Sequence, residues 1–127
     1  MGDLSANLSR HEMACNCECG FDTVDHELVV VLQGVCDFLF DDTGFIPVLI
    51  ITGPNRCHKH NSYEGGADKS QHLYARAADF KIKINGEYYS PQLIYAYLDK
   101  KYPDKYGIGL YHNRIHLDTR TGTKARW

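Results

Sequence analysis

The chain has 127 residues, 43% hydrophobic and 24% charged, which suits one packed domain with a single core and excludes a disordered chain. A net charge of −2 with neutral histidines gives no electrostatic footprint for nucleic acid or an anionic membrane surface. Seven histidines and five cysteines stand out, because both side chains ligate metals and histidine also carries protons near neutral pH.

The opening stretch MGDLSANLSRHEMACNCECG has no basic start leading into an apolar run. It therefore predicts synthesis in the cytoplasm without a signal peptide. No apolar stretch approaches the ~18 residues of a membrane span. Residues 1–21 are turn-rich and read as an irregular, cysteine-rich arm over the core. A helix follows, with Asp22 or Thr23 as cap and Asp25 and Glu27 in the first turn, where the helix dipole favours anions. Leu28, Val31, Leu32, Val35 and Leu39 recur at helical spacing and predict its buried face, and Gly44 ends it. Cys36 falls beside that stripe as a small core residue.

Residues 46–52, IPVLIIT, form a β-branched run suited to a buried strand. The segment from Gly53 to His72 is a long loop rich in Gly, Pro and Asn, and loops of that length in small domains are usually functional or disordered. A strand over 78–84 closes at Asn85-Gly86, a strong hairpin signal, with 87–89 returning. Ser90-Pro91 opens a second helix with Leu93, Ile94, Tyr97 and Leu98 on its apolar face, and Tyr102-Pro103 ends it. A last strand runs over 114–119. The pattern predicts an α+β fold: a small antiparallel sheet with helices packed on one face, in a single domain over 1–127.

Strand parity locates the chemistry. Phe80, Ile82 and Ile84 enter the core, as do Ile115 and Leu117 on the last strand. Asp79 and His116 then share the opposite, polar face and converge if their strands are neighbours. His72, at the end of the long loop, is placed to fold over that face. Two imidazoles and one carboxylate with an open fourth position form a common catalytic zinc set. Zinc lowers the pKa of water and polarises carbonyls, which is what amide hydrolysis requires.

The stretch Ser70-Gln71-His72-Leu73-Tyr74-Ala75-Arg76-Ala77-Ala78-Asp79 resembles the S-x-H-x6-D signature of the M15 zinc D-Ala-D-Ala peptidases. That family shares its fold with the amino-terminal domain of Hedgehog proteins. Ile51 to Cys57 resembles the family's SGYR strand end, and His60-Asn61 through Gly65-Gly66 resembles its HN…GG loop. Gly107-Ile108-Gly109-Leu110-Tyr111 and Ile115-His116-Leu117-Asp118-Thr119-Arg120 resemble its final GIG-Y…HVD-R segment. The cysteine-bearing arm is similar to the start of small phage and bacterial members. The resemblance implies zinc held by His72, Asp79 and His116. It implies Arg56 at the substrate carboxylate or the oxyanion, and Ser70 bonding the substrate or orienting the ligand loop.

The activity so implied is hydrolysis of peptidoglycan stem peptides next to a D-amino acid, as carboxypeptidase or endopeptidase, by a monomer that reaches the wall by lysis or delivery. One position departs from the pattern. Several relatives place a carboxylate three residues before the last zinc histidine, where this chain has Asn113. Asp118 and His112 are the substitute bases, with Asp118 also a candidate acceptor for a zinc-bound imidazole. His58, His60 and Glu64 are loop residues near enough in sequence to approach the ion. Tyr74 and Tyr111 either line the groove or pack beneath it. A zinc-bearing binding module without turnover and a structural phage component are the competing readings. Cys15, Cys17 and Cys19 alternate rather than follow C-x2-C spacing, and Cys57 is placed to meet them. Buried thiols, a disulfide and a second metal stay open for these four.

Overall fold

A computed structural model describes residues 2–17, 19–20, 24–57, 61 and 70–127. The proposed caps Asp22 and Thr23, and His58, His60 and Glu64, lie outside the described residues. The arm holds one helical turn, α1 (Arg10–Met13), opened by a Ser-x-x-Glu box in which Ser9 N–H donates to Glu12 Oε1 at 2.9 Å. The long helix α2 (His26–Thr43) takes Asp25 as its N-cap residue and ends at Gly44, whose φ of 78° is the left-handed geometry glycine adopts freely. Asp25 does not cap through its side chain. Its carboxylate accepts from Thr119 Oγ1 at 2.7 Å and so ties the helix start to the end of the last long strand.

Among the described residues the sheet has six strands: β1 (Val48–Gly53), β2 (Ala77–Ile84), β3 (Glu87–Tyr88), β4 (Gly107–Leu110), β5 (Ile115–Asp118) and β6 (Ala125–Arg126). Their order is β1-β2-β5-β4-β6, with β3 also on β2. The β2–β3 hairpin turns at Asn85 and Gly86, both at positive φ as a type I′ turn requires. All pairs are antiparallel except β4–β6, a departure from the expected all-antiparallel sheet. The tail returns along the free edge of β4 and pairs in parallel, covering an edge otherwise open to association.

Helix α3 (Pro91–Lys101) and α2 pack on the apolar face of the sheet. All five residues of the expected α2 stripe are buried, and so is Cys36. They meet Phe80, Ile82, Ile108, Ile115 and Leu117, each fully enclosed. On α3, Ile94 and Leu98 are buried and Tyr97 is partly so, but Leu93 is 55% exposed, because the helix lays only a narrow stripe on the sheet. No helix among the described residues is long and apolar enough to cross a membrane.

Candidate metal centre

Register does most of the assembly. β2 and β5 pair antiparallel with Asp79 opposite His116 and Phe80 opposite Ile115. Because neighbours along a strand point to opposite faces, the pairing that buries Phe80 and Ile115 also sets Asp79 beside His116 on the other side. His72 arrives from a 3-10 turn (Gln71–Tyr74) whose N-cap Ser70 accepts from the His72 N–H at 3.3 Å. The turn closes at Ala75 in left-handed geometry, φ 58°, and the chain then enters β2. One donor atom from each of His72, Asp79 and His116 lies within 4.8 Å of the others, and all three residues are buried.

The hydrogen bonds show which nitrogen each imidazole turns toward Asp79. His72 Nδ1 lies 2.8 Å from the Pro54 carbonyl, which only accepts, so Nδ1 carries the proton and Nε2 keeps its lone pair. Nε2 is the atom that faces Asp79, at 3.6 Å. His116 Nε2 lies 2.7 Å from Asp118 Oδ2 and Nδ1 lies 2.8 Å from Asp79 Oδ1; both partners are carboxylates, so without a metal both nitrogens donate, and Nδ1, on the Asp79 side, is the one that would give up its proton to ligate. Each ring is thus oriented by an acceptor behind it, the arrangement that fixes tautomer and angle in metal-bound histidines. Two imidazoles, each neutral once it ligates, and one carboxylate form a donor set suited to zinc.

The charges are matched to that use. Burial works against ionising Asp79, yet hydrogen bonds from His116 and His72 hold its carboxyl well below the usual carboxylate range. Burial likewise opposes Asp118, and it is overcome by Arg120 first and His116 second. Arg120 grips Asp118 with Nε and an Nη, each at 2.7 Å, and its backbone N–H adds a third bond at 3.2 Å. For His116, burial opposes charge, but the bonds to Asp118 and Asp79 outweigh it and raise the pKa above the ordinary imidazole value.

The donors open into a cavity of about 380 Å³ lined by Arg56, Ser70, Gln71, His72, Asp79, Tyr111, Arg114, His116, Arg120 and Trp127. Arg56 reaches Asp79 Oδ2 at 3.8 Å and donates to Asn61 Oδ1 at 3.4 Å. Its N–H donates to the His72 carbonyl at 3.1 Å, so Arg56 and the first ligand share one loop junction. Tyr111 lines the cavity, while Tyr74 is exposed and does not. His112 is exposed and off the cavity. Asp118 is fully buried beneath His116, with both oxygens engaged. Among the described lining residues Asp79 is the only carboxylate.

Two features were not anticipated from sequence. Trp127 packs 5.0 Å from the His116 ring and donates Nε1 to Tyr111 Oη at 2.9 Å, forming a wall from the tail. Three glycines give the site room. A Cβ on Gly53 would strike the Asp79 carboxylate, one on Gly107 the Asp118 carboxylate, and one on Gly109 the Trp127 indole. Gly53 and Gly107 face the two aspartates across the ladder and Gly109 faces His116. The G-I-G spacing was visible as a motif; the reason for it is steric and needs the register.

No curated protein and no solved structure gives a significant match to the chain. A family model described as peptidase M15 matches residues 6–118, a span that takes in most of the arm, all three candidate ligands and Asp118. With that match over most of its length, and a buried His-Asp-His set on the sheet that carries it, the chain belongs to the M15 peptidases, metallopeptidases of the Hedgehog/DD-peptidase fold.

Proposed function

We propose that the chain is a zinc peptidase that hydrolyses peptidoglycan stem peptides next to a D-amino acid, with zinc held by His72, Asp79 and His116. The observation that carries this reading is the donor set itself, open on one side to a cavity rimmed by three arginines. Zinc bound there would polarise the scissile carbonyl and lower the pKa of water. The protein's own part is positioning. Arg56 and Arg114 offer planar guanidiniums to a peptide carboxylate, the geometry that favours bidentate recognition. Ser70 orients the ligand turn through the His72 N–H, and Tyr111 with Trp127 forms an apolar wall against which a peptide side chain packs.

Asp118 acts as a positioning residue. Its oxygens accept from His116 and Arg120, and a carboxylate so stabilised is a weak proton acceptor. A second reading, a zinc-bearing binding module without turnover, is favoured by one observation: Asn113 occupies the carboxylate position, and only the ligand Asp79 brings a carboxylate to the described lining. Incubation with purified peptidoglycan, with and without chelator, separates the two. Fragments released only in the absence of chelator, with masses that identify the bond cut, support the peptidase. Retention on the wall without any release supports the binding module. The protein meets its substrate at the wall, after lysis or delivery.

A further inference from the structure

At the base of the loop that carries Arg56, four cysteines converge. Cys15, Cys17 and Cys19 come from the arm and Cys57 follows Arg56; their sulfurs all lie within 4.8 Å of one another. Three of the separations are 3.3 Å for Cys15–Cys17, 3.5 Å for Cys17–Cys57 and 3.9 Å for Cys15–Cys57. The arm, expected from sequence to be turn-rich and irregular, is so at the cysteines. It turns at residues 16–17, and that turn wraps the C-x-C-x-C run around a point instead of along a line.

The three chemistries open to such a cluster predict different geometry. A disulfide draws two sulfurs to about 2.05 Å and does nothing for the remaining two. Thiols packed for burial belong in the core, whereas Cys17 and Cys19 are exposed. A single tetrahedral ion with Zn–S bonds of about 2.3 Å sets its sulfurs about 3.8 Å apart, the edge of that tetrahedron. The observed separations bracket that edge, and the space enclosed fits one ion rather than a multi-iron cluster. The Cys57 N–H also donates to Cys15 Sγ at 3.4 Å, a bond that favours the thiolate over the thiol.

We propose that Cys15, Cys17, Cys19 and Cys57 bind a second, structural zinc ion that pins the arm to the loop bearing Arg56. Ligation releases the four thiol protons to solvent, so occupancy falls on acidification. The ion adds to a direct tie already present, the Asn55 N–H bonded to the Met13 carbonyl at 3.0 Å. This site stands independently of the His72-Asp79-His116 centre.

The test is zinc content in His116→Ala, and in His116→Ala combined with Cys17→Ser and Cys19→Ser. The first should keep one zinc per chain and the second should lose it. X-ray absorption on the zinc of His116→Ala should show four sulfurs at about 2.3 Å, which covers the case where the cysteine variant fails to fold. Cobalt loaded into the same protein should give thiolate-to-cobalt charge-transfer bands. Removing the ion with chelator should make the arm cleavable in limited proteolysis. Zinc bound only through nitrogen and oxygen, a disulfide among the four cysteines by mass, or all four thiols reactive in the zinc-loaded protein would overturn the proposal. Iron in place of zinc after native purification would overturn the choice of metal.

Discussion

On the proposed reading, Arg56 recognises the substrate and Asp118 orients a ligand, and the two roles have different signatures. Arg56→Ala should leave zinc content unchanged and lower kcat/KM at least ~10-fold, since a charge-assisted pair to a substrate anion typically contributes more than ~1.5 kcal/mol. Arg56→Lys should recover little, because a point charge replaces the planar fork. Steady-state kinetics beside metal analysis reads both outcomes, and full activity in both variants would reduce Arg56 to scaffolding. Asp118→Asn should instead weaken zinc binding roughly 10–100-fold together with activity, the behaviour of a residue that orients a ligand. A rate that falls ~10²-fold or more at unchanged zinc affinity would make Asp118 the base after all.

Among the elements, β1 places its own end with unusual economy. Its register with β2 shifts between Ile51 and Gly53, which leaves Thr52 as the extra residue and turns the strand end toward Asp79. Gly53→Ala drives a methyl into that carboxylate and should cost about 1–3 kcal/mol of stability as overpacking. Urea unfolding measures it, and zinc affinity should fall in parallel; a neutral Gly53→Ala would mean that the ladder relaxes freely. Much at this scale was legible in advance. The α2 stripe, the Asn85-Gly86 hairpin and the parity of β2 and β5 follow from local periodicity, which a single sequence carries in full. The narrow face of α3, the convergence of the arm's cysteines on Cys57 and the pairing of β6 were not, because each depends on partners distant in the chain. The same limit hid Trp127, where nothing in TGTKARW announces that its indole ends beside His116.

For the molecule as a whole, the buried charges make the metal-free protein sensitive to pH on both sides. Asp79 and Asp118 titrate below their unfolded value near ~3.9, so their stabilisation is present above that pH and is lost as acid protonates the folded carboxylates. His116 titrates above its unfolded value near ~6.5, so its contribution is complete below that pH and declines as alkali removes the proton. Chelator-treated protein should therefore be most stable between about pH 4 and 6.5 in denaturant titrations. Asp118→Asn should flatten the acidic limb, and an unchanged limb would place the sensitivity elsewhere.

Strand β5 is paired on both edges, with β2 on one side and β4 on the other. Amides held from two sides exchange with solvent only when the whole domain opens, whereas those of a loop exchange through small local fluctuations. His116 and Leu117 should therefore number among the slowest-exchanging amides, and their rates should report global stability whether or not zinc is bound. The amide of Arg56, bonded across to the 3-10 turn, should exchange faster and slow markedly when metal is added. Deuterium uptake would then read two clocks in one small protein: one set by opening of the whole domain, in the strand that carries His116, and one set by local opening, in the loop that bears Arg56.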